Sequence, residues 1–373
     1  MKTHLKLLFI FSLTGLSASA QVFTNKEVGK KNEELIDSLK KKEYPYSLPI
    51  WGDKATAAGY DLPYSAGFSV QYFTQVSDLV IENLMVGFNG GTMYNVDELI
   101  RFDKAQATAS AFTVRPDVWL LPFLNVYGIL GKSQATTEVG FGLWIPDSNN
   151  TSQKIFSAGS TVDFQSTTYG LGFTPTIGIG GGFLALDMNV CWTDVPQLAK
   201  PARTFVFGPR LGKNFKLKKP QQTVAIWAGG FRVHLGSETS GSIALSEVFP
   251  PGTLGGKIDE GMAKVDNAQQ QVDTWWGGLT QQEQKNPINQ AKYNKANDVL
   301  DRASQVLVAA DNAVNTIETS TVQYSMDKRV KDPWNFIVGS QFQLNKHFML
   351  RAEYGFTGSR TQFLMGLQYR FGL

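Results

Sequence analysis

Residues 361–371, TQFLMGLQYRF, admit few folds. Phe363, Met365, Leu367, Tyr369 and Phe371 share one parity; Gln362, Gly366, Gln368 and Arg370 share the other, with Leu364 the exception. A period of two with one apolar and one polar face is the pattern of a β-strand. The pattern recurs. Leu184, Leu186, Met188, Val190 and Trp192 oppose Asp187, Asn189 and Cys191. Trp334, Phe336, Val338, Phe342 and Leu344 oppose Asn335, Gln341 and Gln343, and Phe348, Leu350, Tyr354 and Phe356 oppose Arg351 and Glu353. Behind an export signal, such repetition predicts an all-β, transmembrane, antiparallel up-and-down barrel with lipid outside and a polar lumen.

The export signal is residues 1–20. Lys2 and Lys6 give a positive start, residues 7–16 an apolar centre, and Ala18-Ser19-Ala20 a small-residue cleavage site, so the mature chain is expected to begin at Gln21. No cysteine follows the cleavage site, which argues against a lipid anchor, and the single Cys191 cannot form an internal disulfide. No later apolar run reaches the roughly 18 residues of a membrane helix, and the mean hydropathy is −0.16. A net charge of +3 without a basic stripe argues against a nucleic-acid partner.

Taken in order, residues 21–63 form an N-terminal periplasmic segment. Thr24-Asn25-Lys26-Glu27 has capping-box spacing, and Val28, Leu35, Ile36 and Leu39 continue a short amphipathic helix. The first part of the barrel, residues 64–254, breaks into strands at turn signals. These fall at residues 76–78, at Pro116-Asp117, in the polar stretch 146–152 and at Gly180-Gly181-Gly182. With the closing strands of residues 322–373, the count is about twelve, or fourteen with an extra hairpin at residues 154–164. On this count residues 90–104 become a long turn at the periplasmic end. Residues 118–131, VWLLPFLNVYGILG, are apolar on both parities and need cover on the lumen side.

Residues 255–321 lose the period of two. Ile258, Met262, Val265 and Val272 follow helical steps, as do Ala296, Val299, Leu300, Ala303, Val306, Leu307, Ala310, Val314 and Ile317. Thr280-Gln281-Gln282-Glu283 is a second capping box, and Pro287 suits a first turn. The expectation is an antiparallel helical hairpin with Trp275 and Trp276 near its tip. Its stripes bury each other in the simpler reading; in the sharper one the hairpin plugs the barrel or docks a protein partner.

Inward-pointing residues are expected to be Asp187, Asn189, Arg232, His234, Gln341, Gln343, Arg351, Glu353, Gln362, Gln368 and Arg370. Arg232 and His234 enter this set because Trp227, Phe231, Val233 and Leu235 are assigned to the lipid face. His234 lies near Ser237, Glu238 and Ser240, but a lumen-facing base does not suit an enzyme that cuts membrane lipid, so no catalysis is expected. No His, Cys and carboxylate spacing suits a metal, Gly178 to Gly182 lacks the Lys-Ser/Thr of a phosphate loop, and no cofactor is expected.

The closing strand, with its final QYRF, resembles that of Gram-negative outer-membrane β-barrel proteins. The resemblance covers residues 65–373 apart from the insertion. It implies an outer-membrane location, contact with outer-membrane lipid, and assembly through periplasmic chaperones and the barrel-insertion machinery; it transfers no substrate. Two functions are compatible with the sequence. The first is a channel or transporter for a small polar or amphipathic solute. The second is a closed barrel serving as a platform, with the helical insertion binding a partner.

Overall fold

The computed structural model describes residues 43–373 except 147–151, 180, 197, 220, 237, 250, 251 and 253, together with 37, 40 and 41. The export signal and nearly all of the first expected helix lie outside the described residues. The described chain begins with a segment carrying helix α1 (Gly52–Ala57). The strands are β1 (Ala66–Phe88), β2 (Tyr94–Asn95), β3 (Ile100–Leu121), β4 (Leu124–Pro146), β5 (Ser152–Ile179), β6 (Gly182–Asp194), β7 (Ala202–Lys216), β8 (Thr223–Leu235) and β9 (Glu238–Ala244). Helices α2 (Leu245–Val248), α3 (Gly255–Gly277), α4 (Gln281–Gln284) and α5 (Pro287–Val314) follow, then β10 (Thr321–Val330), β11 (Trp334–Gln343), β12 (Phe348–Thr357) and β13 (Arg360–Phe371). Ten strands close a ring: β1, β3 to β8, and β11 to β13, with β13 returning to β1 from Ala66↔Phe371 to Ser77↔Arg360. Strands β2, β9 and β10 stand outside that ring.

Ten replaces the expected twelve or so because two turn signals are overridden. Strand β1 runs through residues 76–78, where it exchanges β13 for β10 as its neighbour. Strand β3 runs through Pro116-Asp117, since the Asp117 carboxylate is held inside the barrel and not in a turn; the true turn is Pro122-Phe123. Residues 154–164 are the outer half of β5 and not a separate hairpin. Residues 89–99 therefore lie at the far end from the C-terminus, on the same side as the helices.

The strands are unequal in length, and the difference is organised. Strands β1, β3, β4 and β5 have 22 to 28 residues, against 10 to 15 for the other six ring strands. Near the termini the outward face is apolar: Tyr169, Leu171, Phe173, Ile177 and Ile179 on β5, Leu350 and Phe356 on β12, and Met365 and Leu367 on β13. Ten steps of about 3.3 Å, tilted about 40°, make this band roughly 25 Å tall. Farther along the long strands the polarity inverts. The outward face carries Lys104 paired with Glu138, Thr136 bonded to Asp163 at 2.6 Å, and other polar residues. The inward face there carries Leu84, Leu143, Ile145 and Ile155.

That inward apolar face is where the hairpin packs. Val265, Ala268 and Val272 of α3 and Val299, Leu300, Ala303 and Leu307 of α5 share one core with the strand residues. The helices thus bury their stripes against each other and against the inner side of the tall wall, at the end of the barrel farthest from the termini. Thr280 and Glu283 form the reciprocal cap, and Pro287 opens α5 with Asn286 as its N-cap. On the rim, Glu98 accepts from Arg302 at 2.7 Å, with Lys295 at 3.6 Å. The Arg302 hydrogen bond holds the Glu98 carboxyl below its ordinary range. Its contribution is therefore present above about pH 4.5, the ordinary value, and is lost as the pH falls further. At this exposure the pair is worth about 1 kcal/mol or less. Glu98→Gln is expected to lower the thermal midpoint slightly at neutral pH and not at all in strong acid; equal effects at both would contradict this.

Candidate functional site: the barrel lumen

A ring of ten strands is little wider than an eight-stranded ring, whose interior side chains alone can fill. Here large polar residues cross the lumen in three layers. In the layer near the termini, Arg370 on β13 donates to Asp117 on β3 at 2.9 Å and to the Tyr64 carbonyl at 3.0 Å; Gln368 and Asn125 each reach Asp117 at 2.8 Å. The N-terminal segment is tied down at this end. The Ile50 N–H bonds the Leu120 carbonyl, the Leu48 N–H bonds the Leu373 carbonyl, and Lys346 pairs with Asp61 at 2.8 Å. On the lumen side of residues 118–131, Trp119 lies under Arg370 at 5.9 Å and Tyr127 under Arg115, so the cover comes from the lumen's own guanidiniums. His347 stands between Tyr64 and Tyr369 at 4.7 and 5.6 Å.

The middle layer spans the barrel. Arg210 on β7 donates to both oxygens of Glu353 on β12, at 2.8 and 3.1 Å, and to Asp187 on β6 at 3.2 Å. Glu353 also accepts from Arg351 at 3.1 Å and from the Trp227 indole at 2.9 Å. Asp187 accepts from Tyr127 at 2.5 Å and from Thr174 at 2.9 Å, and Arg115 lies over the Tyr127 ring at 3.9 Å. Inward glycines make room: a Cβ on Gly172 would meet Tyr127 at 2.3 Å, and one on Gly339 would meet Trp227 at 2.5 Å. The third layer, farthest from the termini, has Arg360 bonded to Gln75 at 3.0 and 3.2 Å and to Gln362 at 3.2 Å, over the Phe231 ring. Beside it Asn335 is buried with neither amide atom partnered.

Nine of the eleven expected residues point inward: Asp187, Asn189, Gln341, Gln343, Arg351, Glu353, Gln362, Gln368 and Arg370. Arg232 and His234 do not. On β8 the inward parity belongs to Ala225, Trp227 and Phe231, while Ile226 is 54% exposed on the other face. Arg232 therefore lies outside over Trp334 at 5.8 Å, and His234 pairs across β7 with exposed Phe205. Sequence reasoning missed Arg115, Asp117, Tyr127, Arg210, Trp227 and Arg360. Arg210 was recoverable, since Phe205, Phe207, Leu211 and Phe215 take the opposite parity on β7.

Fold and lumen together define a closed barrel with an apolar outer band and an interior crossed by ion pairs. No protein-family model and no curated protein matches the chain. Among solved structures, the β domain of the Bordetella autotransporter BrkA matches at 10% identity, covering 82% of this chain and 100% of its own, with a TM-score of 0.34. An outer membrane channel from Pseudomonas putida F1 matches at 10% identity, with coverages of 83% and 97% and a TM-score of 0.29. The transport unit of the Escherichia coli autotransporter AIDA-I matches at 9% identity, with coverages of 82% and 90% and a TM-score of 0.28. These likenesses are remote in both sequence and superposition.

Proposed function

We propose that this chain is an outer-membrane barrel with a closed lumen that holds its helical hairpin outside the membrane as a docking element for another protein. The observation that carries this reading is the two-pronged Arg210–Glu353 pair, which bridges β7 to β12, three places apart in the ring, and is anchored to Asp187, Arg351 and Trp227 inside the lumen. The outward apolar band suits lipid, and β13 carries the alternation that barrel-insertion machinery reads. The hairpin leans on a wall that continues some ten residues beyond the band, with water-compatible side chains outside. The channel or transporter reading is favoured by the cavity between the lower and middle layers, and it requires the Arg210–Glu353 pair to part. Neither reading includes a catalytic step, although His234 lies on the outer face and the lumen-side argument against it as a base therefore falls.

The test uses Gln282, exposed on α4. A cysteine there is expected to react with a membrane-impermeant maleimide on intact cells, and a photo-crosslinking side chain there is expected to give one discrete protein adduct. Labelling only after the membrane is breached, or labelling with no adduct, contradicts the reading.

A further inference from the structure

Between the lower and middle layers the lumen widens into a cavity of about 230 Å³ that reaches the turn end of the barrel at Asn214, Thr223 and Gln343. The charges around it do not balance. Four guanidiniums, those of Arg115, Arg210, Arg351 and Arg370, share three carboxylates, those of Asp117, Asp187 and Glu353. The close pairs are Arg370 with Asp117, and Arg210 with both Glu353 and Asp187. Arg115 and Arg351 receive what is left. Arg115 comes no nearer than 4.0 Å to Asp187 and donates a long bond, 3.4 Å, to Gln71. Arg351 makes one bond to Glu353, and its Nε is buried with no partner.

Both side chains line the cavity and remain 17% and 27% exposed. Beside them the Gln341 amide also faces the cavity, and its Nε2 has only the Met349 thioether at 3.4 Å, a weak acceptor. A surplus guanidinium, a second one loosely held and an amide short of an acceptor converge on one space. Guanidinium forks match carboxylate and phosphate geometry, and the low dielectric of a barrel interior strengthens such bonds. We propose that this cavity binds a small oxyanion, a carboxylate or a phosphate, between Arg115 and Arg351, with Gln341 as a third donor. The bound anion supplies the charge that the lumen lacks.

Isothermal titration of the purified full chain in a non-ionic detergent decides the matter, using sodium phosphate and sodium acetate as separate probes and glucose as the neutral control. Saturable heat is expected from at least one anion and none from glucose, and the anion that binds identifies the headgroup chemistry. Arg351→Gln and Arg115→Gln are each expected to weaken binding by at least about tenfold. Arg351→Lys should keep most of it, and Arg232→Gln, on the outer face, should change nothing. Should Arg351→Gln not fold, Arg115→Gln carries the comparison. No saturable heat from either anion, or wild-type affinity in Arg115→Gln, overturns the proposal.

Discussion

Glu353→Ala is expected to destabilise the barrel by about 3–5 kcal/mol, the cost of removing one partner from a buried ion pair. The carboxylate is 1% exposed and accepts from Arg210 twice, from Arg351 and from Trp227. Without it Arg210 and Arg351 face each other with Asp187 as the nearest acid, and the Trp227 indole N–H loses its acceptor. Glu353→Gln keeps the shape and loses the charge, so it should fall between wild type and alanine. A joint replacement of Arg210 and Glu353 by Met and Leu removes both charges and should recover much of the loss. The denaturant midpoint in micelles, followed by tryptophan fluorescence, measures the series; a loss below about 1 kcal/mol for alanine would mean the layer is an exposed network.

Ala303→Asp is expected to release the hairpin and spare the ring. Ala303 is 0% exposed in the core shared by both helices and the tall wall, one turn from Leu300 at 1%. A carboxylate there has no partner, and its burial costs several kcal/mol. The ring should persist, because its closure depends on strand ladders and lumen layers that do not include α5. Limited proteolysis should then cut residues 255–320 quickly in the variant while the barrel survives. Val308→Asp, at a position 48% exposed on the same helix, should behave as wild type. Equal protection in Ala303→Asp and wild type would show that the helices do not depend on the wall.

Alternation in a sequence gives the two faces of a strand but not which face is inside. On β11, β12 and β13 the sign was legible, since one parity held the amides and charges and the other the aromatics. On β8 both parities carry large apolar residues. Trp227 and Phe231 belong inside because Glu353 needs the indole N–H and Arg360 lies over the phenyl ring; without knowledge of neighbours, Arg232 and His234 take the wrong face. The strand count failed because strands longer than the apolar band were cut at local turn signals, β1 at residues 76–78, where it exchanges β13 for β10, and β3 at Pro116-Asp117, whose carboxylate is held by Arg370 inside the barrel. The hairpin was legible in outline from its 3.6-residue stripe and its caps, whereas the wall it leans on was hidden by those same cuts.

Single-channel recording of the purified, folded wild-type chain in a planar bilayer tests the closed lumen most directly. The Arg210–Glu353 bridge predicts a silent bilayer with wild type and conducting steps once both residues are replaced by alanine. Stable steps from wild type itself would contradict the closed barrel and return the chain to the channel reading.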